Sequence, residues 1–100
     1  MSTAVVTDLA YEDMEQAVEY LDGETGQKDA GNRWLDRLYQ AFARLAAAPL
    51  IGRLRTDIEP DLRSYLFEQY TIFYYVYPEQ IEISRVLHQR RNVRKEFGIG

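Results

Sequence analysis

The chain predicts a two-layer α+β domain, β-α-α-β-β-β, in which a helical hairpin packs on one face of a mainly antiparallel sheet, with room for a short C-terminal helix. Three observations predict it. Apolar residues recur with a period of about 3.6 through the first half of the chain. The period falls to 2 after Leu62. Between the two regimes stand Pro49, Gly52 and Pro60, which break helices and favour loops.

The first element is a short strand, Ala4-Val5-Val6, followed by Thr7, whose hydroxyl can accept a hydrogen bond from the free amides that open a helix. Met14, Ala17, Val18 and Leu21 then recur at i, i+3, i+4 and i+7. The acids Glu12, Asp13, Glu15, Glu19 and Asp22 fall mostly on the other face, and Gly23 to Gly26 supplies the break. A second helix is expected from about Gln27, with Trp34, Leu38, Ala41, Phe42 and Leu45 on one face and Arg33, Arg37, Gln40 and Arg44 on the other. Its short connection to the first helix favours an antiparallel hairpin. A loop then runs to Pro60.

Three strands follow: residues 62–67, 70–77 and 81–87. Pro78-Glu79 makes a plausible turn between the last two. Glu68-Gln69 is a weaker one, because it lacks the glycine or asparagine of a tight hairpin. The middle strand is aromatic on both faces, which places it at the sheet centre, with Tyr74 and Tyr75 divided between core and surface in one order or the other. Trp34 reads as core. The basic tail is expected to fray at Gly98-Ile99-Gly100.

One hundred residues form a single domain, 1–100, with one core. The 46% hydrophobic content and interspersed charges separate it from disordered chains. The absence of cysteine excludes a disulfide framework and thiol chemistry and fits a reducing compartment, so a cytoplasmic location is expected. No stretch reaches the roughly 18 apolar residues of a membrane span, and no signal-peptide pattern opens the chain.

Net charge is −4, unevenly distributed. Residues 1–31 carry eight acids against Lys28 and so hold −7, whereas residues 81–100 carry five bases against Glu82 and Glu96 and so hold +3. Such polarity suits different partners at the two ends, although a solvated helix face also accounts for the acidic one.

Enzyme templates mostly fail. There is no glycine-rich phosphate loop and no nucleophile elbow. The single histidine is not accompanied by carboxylates at metal-ligand spacing, so neither a metal nor another cofactor is expected. What remains is Arg63, Arg85, His88, Arg90, Arg91, Arg94 and Lys95. Such a set can hold phosphates or the charge of phosphodiester cleavage, with His88 or a tyrosine as acid or base. It can equally dock on an acidic protein surface. The bland alternatives are cross-strand ion pairs with glutamates for Arg63 and Arg85, and strand-end packing for His88.

The order and spacing of several segments resemble the ParE/RelE toxin superfamily, and within it the ParE branch. Residues 10–21 (A-x-x-D-M-x-x-A-V-x-Y-L) and 38–52 (L-x-x-A-F-x-R-L-A-x-x-P-x-x-G) look like its two helices. Leu62-Arg63-Ser64, Tyr70-Thr71-Ile72-Phe73-Tyr74 and Ile81-x-Ile83-x-Arg85-Val86-Leu87-His88-x-x-Arg91 look like its strands. Glu68-Gln69 departs from a turn that usually holds glycine, and Asn92 from a usual aspartate.

The resemblance implies the toxin of a type II toxin–antitoxin pair, neutralised by a ParD-like or similar antitoxin. ParE-type members inhibit DNA gyrase without being enzymes, while RelE-type members cleave messenger RNA in the ribosome. A fold relative that only binds its antitoxin is a third reading. An acidic chain is repelled by RNA and is not expected to bind nucleic acid by itself, which favours the gyrase reading. The target would then meet Arg85, His88, Arg90, Arg91, Arg94 and Lys95. On the RNase reading, Arg63, Arg85, His88 and Arg91 would form the cleavage site. Glu12, Glu15 and Glu19 would receive basic residues of the antitoxin.

Overall fold

The computed structural model describes residues 3–99. Strand β1 (Thr3–Val6) ends at Thr7, and this residue sets the path of the chain in two ways. Its hydroxyl accepts the amide of Ala10 at 3.2 Å, capping helix α1 (Asp8–Thr25), and donates to the carbonyl of Ser84 at 3.0 Å. One side chain therefore starts the helix and fixes it to the last strand. Helix α1 runs through Gly23 and stops at Gly26, which adopts a left-handed conformation with φ of 64°. Helix α2 (Ala30–Ala47) begins three residues later than its periodicity suggests, after Asp29, and antiparallel to α1. The hairpin closes tightly at Gly31, where a Cβ would come within 2.5 Å of Val18 Cγ1.

The stretch after α2 is more ordered than the expected loop. Pro49–Ile51 form one 3-10 turn and Arg53–Leu54 a two-residue strand, β2, on the sheet edge. Strands β3 (Arg63–Phe67), β4 (Tyr70–Val76) and β5 (Gln80–His88) follow, then helix α3 (Val93–Glu96). The sheet order is β1-β5-β4-β3-β2, with β1 parallel to β5 and the other pairs antiparallel. The aromatic strand β4 is central, as its composition predicts. The Glu68-Gln69 turn places Glu68 at φ 55°, and its carboxylate is held by Arg37 of α2 at 2.7 and 3.1 Å. Here a helix-to-turn ion pair accompanies a backbone conformation that glycine would adopt more readily.

An unbroken alternation would carry Ile81, Ile83, Arg85 and Leu87 on one face of β5. Instead Phe73 pairs with Arg85 and Tyr74 with Ile83, which leaves Ser84 as an extra residue. This bulge reverses the alternation. Ile81, Ile83 and Val86 face the helices, whereas Leu87 faces the other way.

The sheet consequently has two cores. Ala10, Met14, Ala17, Trp34, Leu38, Phe42 and Leu45 of the helices cover Ile72, Tyr74, Ile81, Ile83 and Val86. On the opposite face Phe73 and Leu87 join Leu62 and Ile58, with Tyr75, Val93, Phe97 and Ile99 packed around them. Tyr74 is thus core, and Tyr75 is half-buried on the second face. The tail does not fray at Gly98-Ile99. The Gly98 amide donates to the Lys95 carbonyl at 3.0 Å and the Ile99 amide to the Arg94 carbonyl at 2.7 Å, with Gly98 at φ 74°. This left-handed cap turns Ile99 back onto the second core. Gly100 lies outside the described residues.

Candidate functional site

The basic residues predicted at the end of β5 divide into bound and available groups. Arg85 belongs to the first. The bulge takes Arg85 out of the helix-facing row and into register with Phe73, and its guanidinium reaches from there to α1, where Nε and Nη2 each meet one oxygen of Asp13 at 2.8 Å. Nη1 and Nη2 also reach the Glu96 carbonyl and carboxylate, both at 3.2 Å. The side chains of Arg85 and Asp13 are 11% and 7% exposed. The ion pair raises the guanidinium pKa above its ordinary value, with the Asp13 hydrogen bond as the largest cause. Asp13 accepts a third bond from the Val86 amide at 3.0 Å. A buried charge pair with this many bonds joins α1, β5 and α3. Asp13 was expected on the solvated face of α1. It is instead buried, at a helical position shared with the apolar stripe, and only a basic residue far along the sequence explains it.

Arg63 is also engaged, but with backbone. Its Nη1 donates to the carbonyls of Gly52 at 2.7 Å and Leu50 at 3.3 Å, securing the 3-10 turn. Neither Arg63 nor Arg85 forms the cross-strand glutamate pair that strand neighbours would suggest. Arg91 donates through Nε and Nη2 to one oxygen of Glu96, at 3.0 and 2.7 Å. Those bonds, with the charges of Arg91 and Arg85, hold the Glu96 carboxyl below its usual range. Arg94 reaches the Asp57 carbonyl at 3.2 Å, while Lys95 is exposed. Asn92, at the position of the usual aspartate, still caps α3 by accepting the Lys95 amide at 3.2 Å.

His88 and Arg90 lie on the helix side of the rim. His88 Nδ1 accepts the Arg90 amide at 3.1 Å, and its ring meets Tyr70 edge-on with centroids 5.2 Å apart. Arg90 is exposed, and its guanidinium has no hydrogen bond or ion pair among the described residues. Arg63 is therefore remote from His88 in its bonding, and the four residues of the cleavage reading are not brought together as a set with free cationic groups.

The acidic end has its own geometry. Glu12, Glu15 and Glu19 are exposed on α1. Glu15 and Glu19 border a groove of about 300 Å³ between α1 and α2, floored by Met14, Val18 and Leu35 and flanked by Tyr11 and Tyr39. Tyr11 and Tyr39 are about half exposed, so the hairpin presents aromatic surface as well as charge. Tyr11, Leu35 and Tyr39 were missed as candidate contacts. They interrupt the polar face of each helix, and their grouping depends on how the two helices pair.

Among the described residues, no three histidine, aspartate or glutamate side chains stand together as a metal site, and no helix is long and apolar enough to cross a membrane.

With this arrangement in hand, residues 4–93 match the family described as ParE toxin of type II toxin-antitoxin system, parDE. The chain belongs to the ParE toxin family. Toxin ParE1 of Mycobacterium tuberculosis is 41% identical over 70 residues, 69% of this chain and 71% of that one. Toxin ParE3 of Caulobacter vibrioides is 34% identical over 64 residues, 64% of each chain, so the match spans slightly less than two thirds of that ParE toxin. In three dimensions the chain is similar to a solved structure described as a chromosomal ParDE TA system from P. aeruginosa. The TM-score is 0.73 with 18% identity, covering 88% of this chain and 95% of that one. At that identity the likeness establishes the fold alone, an α+β arrangement of helices on a mostly antiparallel sheet.

Proposed function

We propose that this ParE-family toxin inhibits DNA gyrase through its basic rim, without catalysing a reaction, and is neutralised by a ParD-like antitoxin seated on the helical hairpin. Membership of the ParE family carries the reading. The charge state of the rim supports it. A phosphodiester-cleaving site needs cationic groups free to receive developing negative charge. In this chain Arg85 is committed to Asp13 and Glu96, and Arg63 to two carbonyls. His88, Arg90, Arg91, Arg94 and Lys95 remain as the outward surface for the target, with Arg85 as the positioning residue beneath them. A partly exposed ion pair such as Arg91–Glu96 contributes only about 0–1 kcal/mol, and its exposed Arg91 can exchange that contact for a partner's carboxylate. Gyrase as target implies action in the cytoplasm.

For the antitoxin, the groove of Met14, Val18, Leu35, Tyr11 and Tyr39 suits the apolar face of a helix, and Glu12, Glu15 and Glu19 suit a basic flank. The decisive experiment is a gyrase supercoiling assay with purified toxin, with and without antitoxin. Inhibition relieved by the antitoxin is expected. Undiminished supercoiling across a wide range of toxin concentrations, or cuts within translated codons on mapping transcripts after induction, would overturn the reading.

A further inference from the structure

Between the middle of α1 and the ends of β4 and β5 lies a cavity of about 390 Å³, on the helix side of the rim. Its floor is apolar, from Ala17 and Val86. Its polar groups are mainly donors. Arg90 contributes a guanidinium without a partner among the described residues, and Arg91 has Nη1 to spare beyond its bonds to Glu96. Because His88 Nδ1 accepts the Arg90 amide, the neutral ring carries its proton on Nε2 and is a donor there. The Tyr70 hydroxyl is kept protonated, first by burial and then by its proximity to Tyr20. The one carboxylate in the lining, Asp13, already accepts three hydrogen bonds. The cavity thus has an excess of donors and positive charge, with no free anion to answer it.

Aromatic surface accompanies the charge. Tyr20 is 54% exposed at the mouth and offers a ring face, while Tyr70 is fixed behind it by Trp34, at 5.0 Å between centroids, and by His88. We infer that the cavity binds a small organic phosphate bearing a flat ring, of the size of a nucleoside monophosphate. The phosphate sits on Arg90 and the free edge of Arg91, with His88 Nε2–H as a further donor, and the ring lies against Tyr20. A volume of this order fits such a ligand and exceeds the need of a lone carboxylate. Arginine with an aromatic face is the combination that holds a base and its phosphate. A free monophosphate is favoured over a nucleic-acid strand. Gln16 and Tyr20 of the lining alternate along α1 with the exposed acids Glu12, Glu15 and Glu19, and a polyanion extending from the mouth across the helix would meet that negative charge.

The inference does not depend on gyrase being the target. It is tested by titrating the purified toxin with AMP, GMP and UMP separately, following Tyr and His88 resonances by NMR, beside arms with adenosine, inorganic phosphate and a 5′-phosphorylated octanucleotide. At least one monophosphate should bind with Kd in the range of about 10 μM to 1 mM, with adenosine and inorganic phosphate each at least about tenfold weaker. Arg90→Ala and Tyr20→Ala should each weaken that binding about tenfold or more while leaving the thermal midpoint unchanged, since both side chains are exposed. No resonance shift with any monophosphate up to about 10 mM would overturn the proposal. So would an affinity indifferent to Arg90→Ala, or an octanucleotide bound more tightly than every monophosphate.

Discussion

Asp13 shows how much one side chain can organise when its charge is buried and answered. Its two oxygens take two bonds from Arg85 and one from the Val86 amide. Removing Arg85 leaves Asp13 as an unpaired buried charge, and removing Asp13 leaves Arg85 with the longer contact to Glu96 alone, at a cost of about 3–5 kcal/mol. Asp13→Ala and Arg85→Ala should each lower urea-unfolding stability by that amount, and the double variant should lose much less than the sum. Additive losses would show that the pair is not coupled. Tyr74 is the corresponding neutral case. Its hydroxyl donates to the Pro49 carbonyl at 2.7 Å and accepts the Gly52 amide at 2.9 Å. Tyr74→Phe should cost about 1–3 kcal/mol, because both backbone groups lose their partner. Gly52→Ala should also destabilise, since its Cβ would stand 2.3 Å from the Tyr74 oxygen. A Tyr74→Phe midpoint equal to that of the parent chain would remove this account of why the turn after α2 is so well ordered.

At the scale of elements, α3 shows where the sequence was legible and where it was not. The helical hairpin and the three long strands follow from periodicity, because Trp34, Leu38 and Phe42 on α2, or Ile72 and Tyr74 on β4, repeat at the spacing of the face they bury. The bulge at Ser84 and the second core do not follow. Nothing local in Ile81 to Leu87 marks the residue at which alternation reverses, and a four-residue helix with Phe97 and Ile99 beyond it has too few turns to show a period. The candidate site was legible to the same extent: the basic residue types stand out, but which of them are spent on internal partners depends on the folded contacts, as for Arg85, whose partner Asp13 stands 72 positions away. That tethering makes a pH prediction. The Glu96 carboxyl is held below its ordinary value of about 4.5, first by the Arg91 hydrogen bond and then by the charges of Arg91 and Arg85. A carboxyl with a depressed folded pKa contributes stability above its unfolded pKa and loses it as pH falls through the folded value. Helix α3 should therefore be fully held at neutral pH and loosen on acidification below pH about 4.5, read from the methyl resonances of Ile99 against the second core. Glu96→Gln should weaken α3 at neutral pH and flatten the acid response. A response identical in parent and variant would assign the tether to other groups.

For the whole molecule, the polarity of charge maps onto two surfaces with different neighbours. The −7 of residues 1–31 lies largely on the exposed face of α1, beside the groove between the helices, whereas the bases of residues 81–100 surround the rim and α3. Electrostatics of this kind governs rate and salt dependence of association more than its final affinity, because exposed charges are screened beyond about 8–10 Å at ordinary ionic strength. Replacing Glu12, Glu15 and Glu19 together with glutamine conserves side-chain size and leaves Met14, Val18 and Leu35 in place. The variant should associate with its antitoxin about tenfold more slowly at low salt, with the parent and variant rates converging at about 0.5 M salt, where the Debye length falls to about 4 Å. Its dissociation rate should change little if the apolar groove holds the antitoxin helix as proposed. Stopped-flow association across a salt series separates the two contributions. If the variant associates as fast as the parent at low salt, the acidic face is solvation only, and the antitoxin is recognised by the apolar groove between α1 and α2.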